Sequence, residues 1–248
     1  MIKIKNVYKF YKAYTVHTNT LKSFMINKKK YFSEKRKIPI LSVINNLSVT
    51  IKDGDVLCIV GKNGSGKSTL AKLIAGTSTP TKGAIQITGK IVPFLELGVA
   101  FSNELNGHDN AILNGVLLGM SRSYIEKKAV DIFEFAEIQE FIKTPLKYYS
   151  SGMQMRLAFS IAMHASGDIY IFDEILAVGD ESFIKKCLDF FTMLLANKKT
   201  IVFITHNLDF VKEHATKILY LHRSGEYSLI ESQSEIESFS FTPTISNK

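Results

Sequence analysis

Tryptophan is missing from the 248 residues, proline occurs only 5 times and cysteine twice. So few prolines, with 15 glycines spread along the chain, exclude collagen-like and proline-rich architectures. Cys58 and Cys187 stand far apart and form neither a disulfide framework nor a zinc site, so a reducing, cytosolic setting is expected. Long apolar runs are also lacking. The longest, such as IYIF (169–172) and IVFI (201–204), fall far short of the about 20 residues that a membrane-spanning helix needs. The opening MIKIKNVYKF alternates and offers no apolar block, so no secretory leader is expected. The apolar fraction of 46 % against 22 % charged excludes disorder over most of the chain. The length suits one large α/β domain, or such a core with a smaller inserted lobe, and leaves little room for two full domains.

Negative charge is the scarcer sign, with 23 acidic residues against 31 basic ones, a net of +8. The excess is local. Residues 22–37 hold Lys22, Lys28, Lys29, Lys30, Lys35, Arg36 and Lys37 against Glu34, a net of +6, so the rest of the chain carries only +2. A nucleic-acid binder spreads its basic groups over a groove or a helix face, so no nucleic-acid partner is expected. Two readings of the segment stand: a solvated loop, and a patch that meets anionic lipid head groups.

The hydrophobic pattern predicts strands alternating with helices. Ile2, Ile4 and Val7 mark a short strand, and residues 12–38 an aperiodic basic excursion. LSVINNLSVTI (41–51) alternates as a half-exposed antiparallel strand does. VLCIV (56–60), IYIF (169–172) and TIVFIT (200–205) are continuous apolar runs of the buried-strand type. TLAKLIAG (69–76) reads as a helix stopped at Gly76, AIQITG (84–89) as a strand, residues 105–165 as helical, and KILYLH (217–222) as a last strand. Residues 226–248 read as a polar tail. A mostly parallel sheet covered on both faces follows, and such sheets bind ligands beyond the carboxyl ends of their strands.

At those ends stand the residues that carry chemistry. After VLCIV comes Gly61-Lys62-Asn63-Gly64-Ser65-Gly66-Lys67-Ser68-Thr69, a G-x-x-x-x-G-K-[ST] loop. Its glycines let backbone N–H groups converge on phosphate oxygens, and the following helix adds the positive end of its dipole. Lys67 is expected to reach the β- and γ-phosphates and Ser68 to bind Mg²⁺. After IYIF stand Asp173, a candidate metal ligand, and Glu174, a candidate proton acceptor for an attacking water. After TIVFIT stands His206. Between them, Tyr149-Ser150-Ser151-Gly152-Met153-Gln154-Met155-Arg156 opens a helix, with Ser150 or Ser151 as its cap.

This ordered set resembles the nucleotide-binding subunit of an ABC transporter, over about residues 2 to 225. The resemblance implies a P-loop NTPase core with an N-terminal antiparallel β subdomain and an inserted α-helical subdomain at about 97–165. It implies an ATPase using ATP and Mg²⁺, working as a homodimer with polytopic transmembrane permease subunits at the cytoplasmic face of the inner membrane. By the same resemblance Tyr11 stacks on adenine, and Gly61 to Thr69 cradle the phosphates. Ser150 and Gly152 contact the γ-phosphate of the nucleotide held by the other subunit. Asp173 holds Mg²⁺, Glu174 is the general base, Asp180 couples the subunits and His206 is the switch histidine.

Two departures narrow the family. The usual Leu-Ser-Gly-Gly-Gln is Tyr149-Ser150-Ser151-Gly152-Met153 here, and the usual Gln of the metal site falls at Glu96, within Phe94-Leu95-Glu96-Leu97-Gly98. Both resemble the ATPases that export bacterial cell-surface polysaccharides, as do Glu104-Leu105-Asn106-Gly107-His108-Asp109-Asn110 and Ala177-Val178-Gly179-Asp180. O-antigen export is the expectation, with capsule or teichoic acid export as the alternative. On this length, the C-terminal glycan-binding domain of some O-antigen members is not expected. A soluble ABC-type ATPase acting on ribosomes or DNA is the rival, but two modules or a long coiled coil are expected of that class.

Overall fold

A computed structural model describes residues 1–12, 39–95, 97–173 and 180–240. The basic segment 22–37, Glu96 and Glu174 therefore lie outside the described residues. Two sheets form the frame. A three-stranded antiparallel sheet has the order β2-β1-β4, from β1 (Ile2–Lys12), β2 (Ile40–Ile51) and β4 (Lys82–Ile87). A six-stranded sheet has the order β5-β6-β7-β3-β8-β9. It is built from β3 (Val56–Gly61), β5 (Ile91–Phe94), β6 (Ile169–Asp173), β7 (Thr200–Ile204), β8 (Lys217–Leu221) and β9 (Tyr227–Ile230). Every neighbouring pair in it is parallel except β8–β9.

The alternation of side chains along β3 separates two layers of core. Leu57 and Ile59 face helix α1 (Lys67–Ile74) and the antiparallel sheet, against Ile2, Ile4, Leu70 and Ile74. Val56, Cys58 and Val60 face the opposite side. That side holds much of the phenylalanine content. Phe94 stacks on Phe172 at 4.6 Å and Phe203 on Phe210 at 4.3 Å, close to the offset geometry aromatic pairs prefer. Helices α2 (Gly107–Leu117), α3 (Arg122–Phe135) and α4 (Ser151–Met163) form a lobe between β5 and β6. Their Ile125, Phe133 and Leu157 join the phenylalanine layer, so the lobe is packed onto the sheet. Helices α5 (Glu181–Ala196), α6 (Leu208–His214) and α7 (Gln233–Ser238) complete the described chain.

The polar tail expected from residue 226 is corrected here. Residues 227–230 pair antiparallel with β8, and α7 buries Ile236 fully. A four-residue strand between Glu226 and Glu231 carries too weak a pattern to be read alone; its partner strand supplies the pairing.

Candidate functional site

The phosphate loop leaves β3 at Gly61 and enters α1 at Lys67. Gly66 sits at the junction with φ 99°, in the left-handed region that glycine tolerates. A Cβ there would lie 2.6 Å from Val43 Cγ1, so only glycine fits beneath β2. Every other α-helix among the described residues opens on a side-chain cap: Asn106, Ser121, Ser150, Asp180, Asn207 and Ser232. Helix α1 has none. Its first turn thus has no side-chain cap among the described residues, the condition under which a helix end receives an anion.

A cavity of about 500 Å³ stands over that helix end. Asn63, Gly64, Gly66, Lys67, Ser68, Thr69, Asp173 and Tyr11 line it, together with Leu41 and Val43 of β2. The size suits a small organic ligand. Lys67 Nζ donates to the carbonyls of Gly61 at 2.9 Å and Lys62 at 3.3 Å, so the ammonium is held over the loop. Ser65 is buried, and its hydroxyl has no hydrogen-bond partner among the described residues. Tyr11 is 44 % exposed, with Lys9 Nζ 5.1 Å from its ring centre, so a ring face at the cavity mouth is open to stacking.

Strand register sets the polar edge. Ile204 of β7 is level with both Ile59 of β3 and Asp173 of β6. Asp173 therefore stands beside the strand that feeds the phosphate loop, and exposed His206 lies two residues past Ile204. Ser68 Oγ donates to Asp173 Oδ2 at 3.2 Å. Two hard oxygens at that spacing fit adjacent positions of an octahedral Mg²⁺, whose neighbouring ligands are about 2.9 Å apart. No cluster of three or more His, Cys, Asp or Glu suited to a metal occurs among the described residues. Phosphate oxygens and water would therefore supply the other ligands, as Mg²⁺ prefers.

The remaining candidates lie elsewhere. Ser150, Gly152 and Asp180 do not line the cavity. Ser150 Oγ accepts from Met153 N at 3.2 Å and caps α4. Around Gly152 an added Cβ would meet only Ser150 Oγ, at 3.9 Å, so the α4 end is open to close approach. Asp180 caps α5 through Phe183 N at 3.0 Å and accepts from the Ser182 hydroxyl at 2.7 Å. The Ser182 hydroxyl, the Phe183 N–H and Arg156, 3.6 Å away, hold its carboxyl below the usual carboxylate range. Arg156 also reaches Glu137 at 3.2 Å, and Glu137 holds Lys186 at 2.6 Å, tying the lobe to α5. Leu41 and Val43 were not singled out from the sequence; their shared side of alternating β2 was the available signal. Arg156 stands there only as the end of the segment that opens a helix.

Among known proteins, the ABC transporter family model matches residues 44–177. The O-antigen export system ATP-binding protein RfbB of Myxococcus xanthus is 39 % identical over 98 % of this chain and 59 % of its own length. A protein of the same description from Klebsiella pneumoniae is 36 % identical over 93 % of this chain and 94 % of its own. The teichoic acids export ATP-binding protein TagH of Bacillus anthracis is 39 % identical over 89 % of this chain but 39 % of its own. The chain thus spans under two thirds of the first and last of these relatives. Among solved structures, the dimeric post-hydrolysis ATP-binding cassette MJ0796 with ADP and Pi superposes with a TM-score of 0.69 at 23 % identity, covering 92 % of this chain and 98 % of that one. The ATP-binding subunit of an ABC transporter gives 0.72 at 19 % identity, covering 98 % and 95 %. Both show the fold.

Proposed function

The chain belongs to the ABC transporter family, and from that premise we propose that it is the ATP-hydrolysing subunit of an exporter of lipid-linked cell-surface polysaccharide. O-antigen is the first cargo suggested by the relatives' names, and teichoic acid, with capsule polysaccharide beside it, is the second. The observation that carries the reading is a separation. The phosphate loop, Ser68 and Asp173 share one cavity, whereas Ser150 and Gly152 present an open helix end away from it. A second copy, docked head to tail, brings its α4 end to the phosphates and completes the site.

In this mechanism the loop amides and Lys67 bind the phosphates, and Tyr11 stacks on the base. Ser68 and Asp173 would hold Mg²⁺, with Glu96 as a further ligand through water, and the bound ion would supply neutralisation of phosphate charge. Glu174 takes the proton of the attacking water, and His206 orients that water against the γ-phosphate. Asp180 couples the two copies. ATP binds the closed pair better than ADP and phosphate do, and that difference drives the cycle. The lobe passes the motion to the permease. Leu113, Val116 and Leu117 of α2 are 39 %, 47 % and 65 % exposed at i, i+3 and i+4 spacing, a strip suited to a helix of the membrane partner. No described helix is long and apolar enough to cross a membrane, so the chain's attachment to the cytoplasmic face would be through that partner.

The test is Glu174→Gln. ATP affinity should persist while hydrolysis slows by about 10²-fold or more. Turnover equal to wild type removes Glu174 from the role. Wild-type hydrolysis that rises only linearly with protein concentration at low occupancy removes the two-copy site.

A further inference from the structure

β2 is an edge strand, and two residues in its middle fall out of the ladder. Register with β1 shifts between Val7↔Leu47 and Lys9↔Ile44, and Asn46 adopts φ 48°. An edge strand with a bulge has backbone groups to place elsewhere. Asn45 places them on the turn between β8 and β9. Its backbone N–H donates to Gly225 O at 2.8 Å and its Nδ2 to Ser224 O at 2.8 Å. Its Oδ1 accepts from the Ser42 hydroxyl.

Two residues earlier, Val43 is caught between that turn and the phosphate loop. A Cβ on Gly225, whose φ is 81°, would lie 2.9 Å from Asn45 Nδ2 and 3.3 Å from the Val43 carbonyl carbon. On the other side, Val43 lies against Gly66, as its 2.6 Å clearance from a Cβ there shows. Val43 and Leu41 form the β2 wall of the nucleotide cavity, and Leu41 pairs with Tyr11. The turn, Asn45, Val43 and Gly66 therefore make one continuous stack that ends at the loop.

We propose that the β8–β9 hairpin sets nucleotide affinity by bracing β2 against the phosphate loop, with Asn45 as the positioning residue. The inference rests on the nucleotide-binding reading above and adds to it a control point about 180 residues from Asn45 in sequence, at Gly225. The stack touches the base side and the loop, so it acts on ATP and ADP alike. It contains none of the groups assigned to the hydrolytic step.

Asn45→Asp keeps the side-chain shape and the Ser42 contact but turns the donor toward Ser224 into an acceptor. Fluorescence titration should then show ATP and ADP both bound about 3- to 10-fold more weakly, the effect of one lost hydrogen bond. Turnover at saturating ATP should stay within about twofold of wild type, because only ground-state binding changes. Tyr227→Phe is the control. It removes 3.3 Å contacts from the same hairpin to Ser48, further along β2, and should lower thermal stability without moving either affinity. Should Asn45→Asp not fold, Gly225→Ala read by the same titration decides. Unchanged affinities in these variants, or an equal shift in Tyr227→Phe, overturn the strut while leaving the site intact. Wild-type protein that binds neither nucleotide overturns both.

Discussion

At the scale of single residues, the phosphate loop was legible because its chemistry is contiguous in sequence. Nine neighbouring residues carry the glycines, the lysine and the hydroxyl together. Other residues have roles that only the fold reveals. Asn110, noted in the sequence as part of a family-like stretch, is fully buried. Its carbonyl oxygen accepts from Ser102 N at 2.8 Å, and its amide reaches the carbonyls of Ser102, Leu105 and Asn106 at 3.0 Å. It pins the loop that leads into α2. Asn110→Leu leaves those buried groups without partners and should destabilise the protein by about 3 kcal/mol, the upper range for an orphaned group. A loss of unfolding free energy, read from urea titration, of under a third of that would reduce Asn110 to a space-filler. Asn45 was equally silent, because its partners at Ser224 and Gly225 lie across the whole chain.

At the scale of elements, helix starts were the more legible ends. Ser, Asn or Asp precedes every described α-helix but α1, and the exception marks the ligand site. In helix α6, Asn207 Oδ1 accepts from Asp209 N at 3.0 Å and Phe210 N at 3.1 Å. Asn207→Ala should cost about 1 kcal/mol, the usual worth of such a cap. It should also slow hydrolysis more than it weakens ATP binding, since the cap fixes the turn carrying His206. Equal loss of both, in binding and turnover assays, would detach α6 from the hydrolytic step. Strands made of continuous apolar runs were bounded to within a residue, and the others were harder. β1 runs on to Lys12, paired with β4 as far as Tyr8 and with β2 to its end, where alternation showed only its first residues. The uneven spacing of Ile4 and Val7 was the trace of a bulge, and Asn6 there has φ 48°. β9 escaped notice because pairing with β8, and not its own composition, makes it a strand.

At the scale of the whole molecule, the buried thiols shape the response to pH. Burial pushes Cys58 and Cys187 from an ordinary 9.0 up to about 12, and Tyr149 from 10.0 up to about 12. All three stay neutral in the fold while the unfolded chain ionises first. Protons are then released on unfolding, so the part of the stability linked to these groups is fully present below pH 9.0 and falls as pH rises toward 12. Denaturant midpoints should fall steeply across that window, and Cys58→Ala with Cys187→Ala should flatten the fall. An unaltered slope in the double variant would place the alkaline sensitivity elsewhere. The strand order has a consequence of another kind, in the time domain of synthesis. β3 lies between β7 and β8, which begin at Thr200 and Lys217. A ribosome adding about 5–20 residues per second needs roughly 10–30 s after finishing β3 before either neighbour emerges. Through that interval VLCIV is an apolar stretch without its sheet neighbours, and the cavity, whose loop and β2 wall are already made, still lacks Asp173. The strand that bears the loop is thus a sticky segment of the nascent chain, and a place where a holding chaperone would act.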